Sequence, residues 1–296
     1  MSFLLQQIIN GLALGAVFAL YALGFSMVFA NMKVFHVAHA AIFTWGAVFA
    51  WELTESYGWP VFIAMPVVAL FGGLLNTLTY YFAIRHLQGR KNADMYIFVS
   101  SLGAGIVLTE LAILFLDKKV VRLPFGLVPT YNLTIGPLTV SSMQMLMLGT
   151  VAVMFFALRW LLGSTQFGRE VNAVATDREA AGVLGTNVER VSVSVFFLSG
   201  ALAGIGATLV AAAFNIVDAN LGHNYLVIAM AILVIGGIGS VSGALIGGLI
   251  VGLVSAITTG YISSSYRDVV VFGLMLVFLV LRPDGIFQSA KVVNRA

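Results

Sequence analysis

No cysteine occurs in the 296 residues, which removes disulfides, thiolate metal ligands and cysteine nucleophiles together. Charge is almost as scarce, at 9% of residues, against roughly 25% in an ordinary soluble domain. So few charges cannot cover a water-facing surface. Soluble enzymes, nucleic-acid binders and disordered chains are excluded on that ground, and no nucleic acid is expected as a partner. The first charged residue is Lys33, so the N-terminus lacks the basic n-region of a cleavable signal peptide, and no AxA-like cleavage site follows it. The first apolar stretch is expected to remain as a span. No polar block is long enough to fold separately, and residues 1–296 read as one transmembrane domain.

What fills the sequence instead is apolar: 60% hydrophobic residues and a mean hydropathy of +1.02. The long apolar stretches lack the period-two alternation of barrel strands, so the fold class is an all-α polytopic helix bundle in a lipid bilayer. Nine segments are candidates: 3–30, 37–52, 60–84, 94–116, 138–162, 191–213, 223–238, 243–260 and 267–281. A bilayer core of about 30 Å needs about 20 helical residues. The segments 37–52, 223–238 and 267–281 are shorter than that and read as full spans or half-spans, giving eight or nine crossings.

Nine crossings put the termini on opposite sides, and the basic residues choose the orientation. With the C-terminus inside, Lys33, Arg85, Arg90, Lys91, Arg159, Arg169, Arg178, Arg190, Arg282, Lys291 and Arg295 are cytoplasmic, whereas Lys118, Lys119, Arg122 and Arg267 are outside. The excess of Lys and Arg on one side predicts a cytoplasmic C-terminus, an outer N-terminus, and loops 85–93 and 163–190 in the cytoplasm. The 31 glycines include pairs four apart, Gly11/Gly15, Gly200/Gly204, Gly239/Gly243, Gly243/Gly247 and Gly248/Gly252. That spacing sets two small residues on one helix face and lets backbones approach closely.

The loop from Gly163 to Arg190 is not built as a plain connector. From Arg169 to Leu184 it has no proline, one glycine and abundant Ala, Val, Arg and Glu, so it reads as one or two short helices stopped near Gly182 and Gly185. Val171, Val174, Ala175, Val183 and Leu184 give an apolar stripe flanked by Arg169, Glu170, Asp177, Arg178 and Glu179. Such a helix docks into a groove on a partner protein or lies on lipid headgroups.

The run Gly168-Arg169-Glu170-Val171-Asn172-Ala173-Val174-Ala175-Thr176-Asp177-Arg178-Glu179-Ala180-Ala181-Gly182-Val183-Leu184-Gly185 resembles the cytoplasmic coupling loop of the LivH/LivM-type permeases of ABC importers for branched-chain amino acids. Three further blocks are similar to that family in the same order: Asn10-Gly11-Leu12 with Ala19-Leu20-Tyr21-Ala22-Leu23-Gly24, Gly236-Gly237-Ile238-Gly239-Ser240, and Leu281-Arg282-Pro283-Asp284-Gly285-Ile286-Phe287. The resemblance implies a permease subunit in the bacterial inner membrane. It implies as partners two separate ATP-binding subunits, a second homologous permease and a periplasmic or extracellular solute-binding protein. Gly168, Arg169, Ala175, Asp177, Arg178, Glu179, Ala181 and Gly185 would then form the ATPase-coupling loop. Small Ala175 and Ala181 would permit close approach, with Arg169, Asp177 and Glu179 orienting the contact.

The sequence has no GxxxxGK[ST] phosphate loop, so ATP and Mg are expected on the partner subunits, with no cofactor in this chain. Two departures from the family weaken transfer of the solute. The segment Phe35-His36-Val37-Ala38-His39-Ala40 keeps only an Ala-His pair, and Ser255 stands where an acid is common. Branched-chain or hydrophobic amino acids lead, with urea, short amides and small organic acids as alternatives.

Polar residues within the apolar segments are the candidates for a solute pathway: Asn10, His36, His39, Asn76 and Glu110. His36 and His39, three apart, would share a helix face and either meet solute or bond backbone at a helix end. No third ligand completes a metal site beside them. Asn10, Asn76 and Asn215 also read as hydrogen-bonding glue between helices. Glu110 is the one deep carboxylate, which argues against an ion-coupled secondary transporter. No nucleophile and base pair supports a membrane enzyme, and no catalytic residue is assigned.

Overall fold

A computed structural model describes residues 2–124, 131–136 and 138–287. Lys291 and Arg295 of the charge tally lie outside the described residues. The helices are α1 (Ser2–Met32), α2 (His39–Tyr57), α3 (Val61–Thr79, prolonged by a π turn Tyr80–Ile84 and a 3-10 turn Arg85–Leu87), α4 (Ala93–Phe115), α5 (Ser142–Ser164), α6 (Gln166–Thr176), α7 (Arg178–Val183), α8 (Val188–Phe214), α9 (Leu221–Gly236), α10 (Val241–Tyr261) and α11 (Arg267–Leu281, preceded by a 3-10 turn Ser264–Tyr266). Seven of these stretches are long and apolar enough to cross a membrane. The 16-residue α9 and α2, which carries Glu52 and Glu55, complete nine long helices among the described residues.

One expected span starts late. Leu138–Ser141 is not helical but forms strand β2, antiparallel to β1 (Asn132–Ile135). Thr139 and Val140 are β-branched and favour the extended chain. Ser141 then opens α5 with a capping box, its Oγ accepting from Gln144 N at 3.2 Å and its own N donating to Gln144 Oε1 at 2.9 Å.

α1 and α8 form the enclosed middle of the bundle, and Val17, Leu20, Leu23, Val195, Phe196 and Leu209 are fully buried there. Their neighbours come unusually close because side chains are missing at the crossings. A Cβ on Gly15 would lie 2.7 Å from Gly248 O, so α1 meets α10 backbone to backbone. Gly72 of α3 and Gly200 of α8 face each other in the same way, and a Cβ on either would overlap the other's carbonyl. Close approach of this kind increases dispersion contact where lipid removes any hydrophobic drive between helices. α4, α5 and α11 sit at the periphery and turn large apolar side chains such as Leu114, Phe156 and Val280 outward.

The loops sort into two ends. At one end Arg85 pairs with Glu189, Arg159 bonds Ser242, and the turn after α11 is fastened to α9 by Ile286 N donating to Ile235 O and Phe287 N to Gly236 O. At the other end Gln6 pairs with Thr139, Val121 bridges Val217 and Phe3 packs on Tyr261. Chain order carries Lys33, Arg85, Arg90, Lys91, Arg159, Arg169, Arg178, Arg190 and Arg282 to the first end, and Lys118, Lys119, Arg122 and Arg267 to the second.

Candidate functional site

The loop between α5 and α8 is folded by its own caps. Thr165 Oγ1 accepts from Gly168 N to start α6, and Asp177 Oδ1 accepts from Glu179 N and Ala180 N, at 3.0 Å each, to start α7. Helix α7 runs through Gly182, and Gly185 then turns the chain at φ +91°, a conformation that favours glycine. Asn187 Oδ1 accepts from Arg190 N to open α8.

Helical spacing decides which residues face the bundle. Gly168, Val171, Val174 and Ala181 are buried against it and Ala175 is half-buried. A Cβ on Gly168 would overlap Leu162 O, so that glycine permits the fold-back of α6 onto α5. The small residues expected to admit a partner are thus turned toward this chain's own helices. Arg169, Asp177 and Glu179 are exposed. So is the tip, where Val183 and Leu184 are 89% and 85% accessible on an otherwise polar loop.

Arg178 points the other way, into the bundle. Its Nη2 donates to Gln88 Oε1 at 2.7 Å and to Ser192 Oγ at 3.1 Å, and Nη1 reaches Met32 Sδ at 3.0 Å. Ser192 Oγ lies 3.1 Å from Asn31 Oδ1, and Gln88 Nε2 donates to Tyr80 OH at 3.3 Å. Burial lowers the guanidinium from its ordinary value, and nearby Tyr80 partly offsets this. One side chain therefore ties α7 to the ends of α1 and α3 and the start of α8. Gln88, Met32, Ser192 and Asn31 carry no local sequence signal for this role.

A second polar cluster lies at the break between α1 and α2. The two histidines do not share a helix face, because the chain leaves α1 through Lys33 at φ +58° and only His39 belongs to α2. His36 Nε2 is 2.9 Å from Asn76 Oδ1, and Asn76 Nδ2 donates to Phe196 O at 2.7 Å. His39 Nδ1 is 3.3 Å from Ser199 Oγ, and its ring packs 4.9 Å from that of Tyr21. All three residues are buried. Asn10 Oδ1 accepts from Gln144 Nε2 at 2.7 Å, joining α1 to α5, and Asn215 Oδ1 accepts from Leu123 N. Glu110 is exposed on α4 and lines a cavity of about 200 Å³ with Thr44 and His223, between α2, α4 and α9. Among the described residues no group of three or more His, Asp or Glu is placed to hold a metal.

The sequence is similar to known proteins along most of its length. Residues 7–279 match the family described as "Branched-chain amino acid transport system / permease component". The high-affinity branched-chain amino acid transport system permease protein BraD of Pseudomonas aeruginosa is 28% identical, over 97% of this chain and 97% of its own length. LivH of Escherichia coli, a permease protein of the same kind of system, is 27% identical over 98% and 97%. A ribose import permease protein, RbsC of Haemophilus influenzae, is 25% identical over 75% of this chain and 68% of its own length. The chain belongs to the family of permease components of branched-chain amino acid transport systems.

Proposed function

We propose that this permease subunit moves branched-chain or other hydrophobic amino acids inward across the bacterial inner membrane, driven by ATP hydrolysed on two separate subunits. BraD and LivH, similar over nearly their whole lengths, support the solute class. The apolar character of the chain suits a pathway that accepts a solute already selected by a binding protein outside the membrane. A second, homologous permease completes the translocation unit. ATP and Mg sit on the partner ATPases, and this chain performs no chemistry of its own. The end that carries Lys33, Arg159 and the α6–α7 loop faces the cytoplasm, since it gathers most of the Lys and Arg.

The observation that carries the coupling role is the tip of the α6–α7 loop. Two adjacent large apolar residues stand almost fully exposed between polar helices that are themselves clamped to the bundle. Val183 and Leu184 are the anchor that enters an ATPase groove, and Arg169, Asp177 and Glu179 form its rim. Of the residues considered for the pathway, His36, His39 and Asn76 are closed off and bonded to one another or to α8, and Asn10 is held by Gln144. They hold the bundle together, and Glu110 lines the cavity between α2, α4 and α9.

Burying a leucine contributes about 1.5–3 kcal/mol, whereas an exposed ion pair contributes about 0–1 kcal/mol. Leu184→Asp should therefore weaken ATPase binding by roughly 10- to 100-fold, and Glu179→Ala only slightly. The test is co-purification of the ATPase subunits with each variant at graded concentration. Wild-type assembly by a Val183→Asp/Leu184→Asp double variant would remove the tip from the docking surface.

A further inference from the structure

A cavity of about 1230 Å³ opens where the last turns of α1 meet the end of α5, helix α6 and the turn at 238–242. Its lining includes two cations, Lys33 and Arg159, and no carboxylate among the described residues. Arg159 Nη1 reaches Ser242 Oγ at 3.4 Å, a weak contact with a neutral partner. The ion pairs among the described residues are Arg85–Glu189, Lys119–Asp117 and Arg267–Asp268, so neither cavity cation has an ion-pair partner among them. Toward the membrane the same wall carries Phe156 and Trp160, 66% and 64% accessible on the peripheral face of α5. Tryptophan favours the headgroup level of a bilayer, and an Arg beside it reaches phosphate there.

We propose that this cavity holds the phosphate headgroup of an anionic phospholipid, with Lys33 and Arg159 on the phosphate and an acyl chain lying over Phe156 and Trp160. Basic pockets between spans are built for this ligand. A free solute is the poorer fit, because the cavity far exceeds the volume of a small zwitterion and continues onto the exposed apolar wall of Phe156 and Trp160. Asn172 and Ala175 of α6 form part of the same lining. A bound headgroup would brace α6 against α1 and α5, and its absence would leave the loop free to shift. That consequence rests on the reading of α6–α7 as the ATPase handle, whereas the binding itself does not.

The test uses the full chain in phosphatidylcholine nanodiscs doped with labelled phosphatidylglycerol, with retained lipid measured by native mass spectrometry. A cation near the headgroups adds roughly fivefold in affinity for an anionic lipid, so Lys33→Gln/Arg159→Gln should cut retention of phosphatidylglycerol roughly 25-fold and leave phosphatidylcholine unchanged. An Arg90→Gln/Lys91→Gln control, with cations at the same end but outside the cavity, should retain the lipid. Brominated phosphatidylglycerol should quench a fluorescence component that Trp160→Phe abolishes. Equal loss in the control would assign the binding to the general surface field and overturn the site. Displacement of the lipid by inorganic phosphate would show a soluble-anion site, and displacement by leucine a solute site; either would overturn it, as would unchanged retention in the double variant. Because the ATPases are absent from this measurement, failure here leaves the coupling reading untouched, and the reverse holds too.

Discussion

Arg178 of α7 donates to Gln88, ninety residues earlier at the end of α3, across 2.7 Å. The same guanidinium holds Met32 and Ser192, so a residue that sits among loop charges in the sequence acts as a bolt between the loop and three spans. A planar guanidinium can meet these acceptors in several directions at once, which an ammonium on a flexible stem does not reproduce. In the proposed coupling role, this network is the link by which motion of the tip would reach α1 and the break that begins at Lys33.

Arg178→Met keeps the volume and removes the donors. In the reconstituted complex it should leave co-purified ATPase near the wild-type amount while solute taken up per ATP falls about tenfold. Arg178→Lys should recover little of it. Loss of ATPase binding in parallel with loss of coupling would instead make Arg178 a docking residue.

Asn76 should prove structural. Truncation in Asn76→Ala removes the second bond to the Phe196 carbonyl, which α8 still satisfies, and leaves His36 Nε2 without its partner, and an orphaned buried group costs about 1–3 kcal/mol. The expected result is a lower melting temperature of the purified chain with an unchanged KM for uptake in whatever fraction remains folded. A raised KM at unaltered melting temperature would return Asn76 to the solute pathway.

Topology follows from the sorting of charges between the two ends. In this naturally cysteine-free chain, Ser164→Cys at the end of α5 and Leu133→Cys in β1 both introduce exposed thiols. An impermeant maleimide should label Ser164→Cys only from the cytoplasmic side and Leu133→Cys only from outside. Labelling of Ser164→Cys in intact cells would invert the molecule and detach the α6–α7 loop from any cytoplasmic ATPase.

The spans and the partition of the loops were legible in the sequence because hydropathy and Lys/Arg asymmetry act over whole segments. Short helices within 169–184 were legible from composition, whereas the caps at Thr165, Asp177 and Asn187 emerge from the structure. What the sequence did not carry is direction. The stripe of Val171, Val174 and Ala175 marks a face, but only packing turns that face toward α1 and α5 and leaves Val183 and Leu184 outside. The grouping of Arg178 with Met32 joins residues 146 apart, and no period or propensity reports such a contact. The start of α5 was misjudged for a related reason: Leu138 and Val140 are apolar enough for a span, and their pairing with the 132–135 strand decides the matter. Likewise, the three-residue spacing of His36 and His39 implies one helix face only if the helix is continuous, and it breaks at Lys33.

The account is tested most directly by the energy source for transport. Proteoliposomes containing this chain with its second permease, both ATPases and the solute-binding protein should take up a branched-chain amino acid only when MgATP is supplied on the ATPase side. The chain alone should show neither uptake nor ATP turnover under any ion gradient, since it carries no phosphate loop. Gradient-driven uptake by the chain alone would contradict the account.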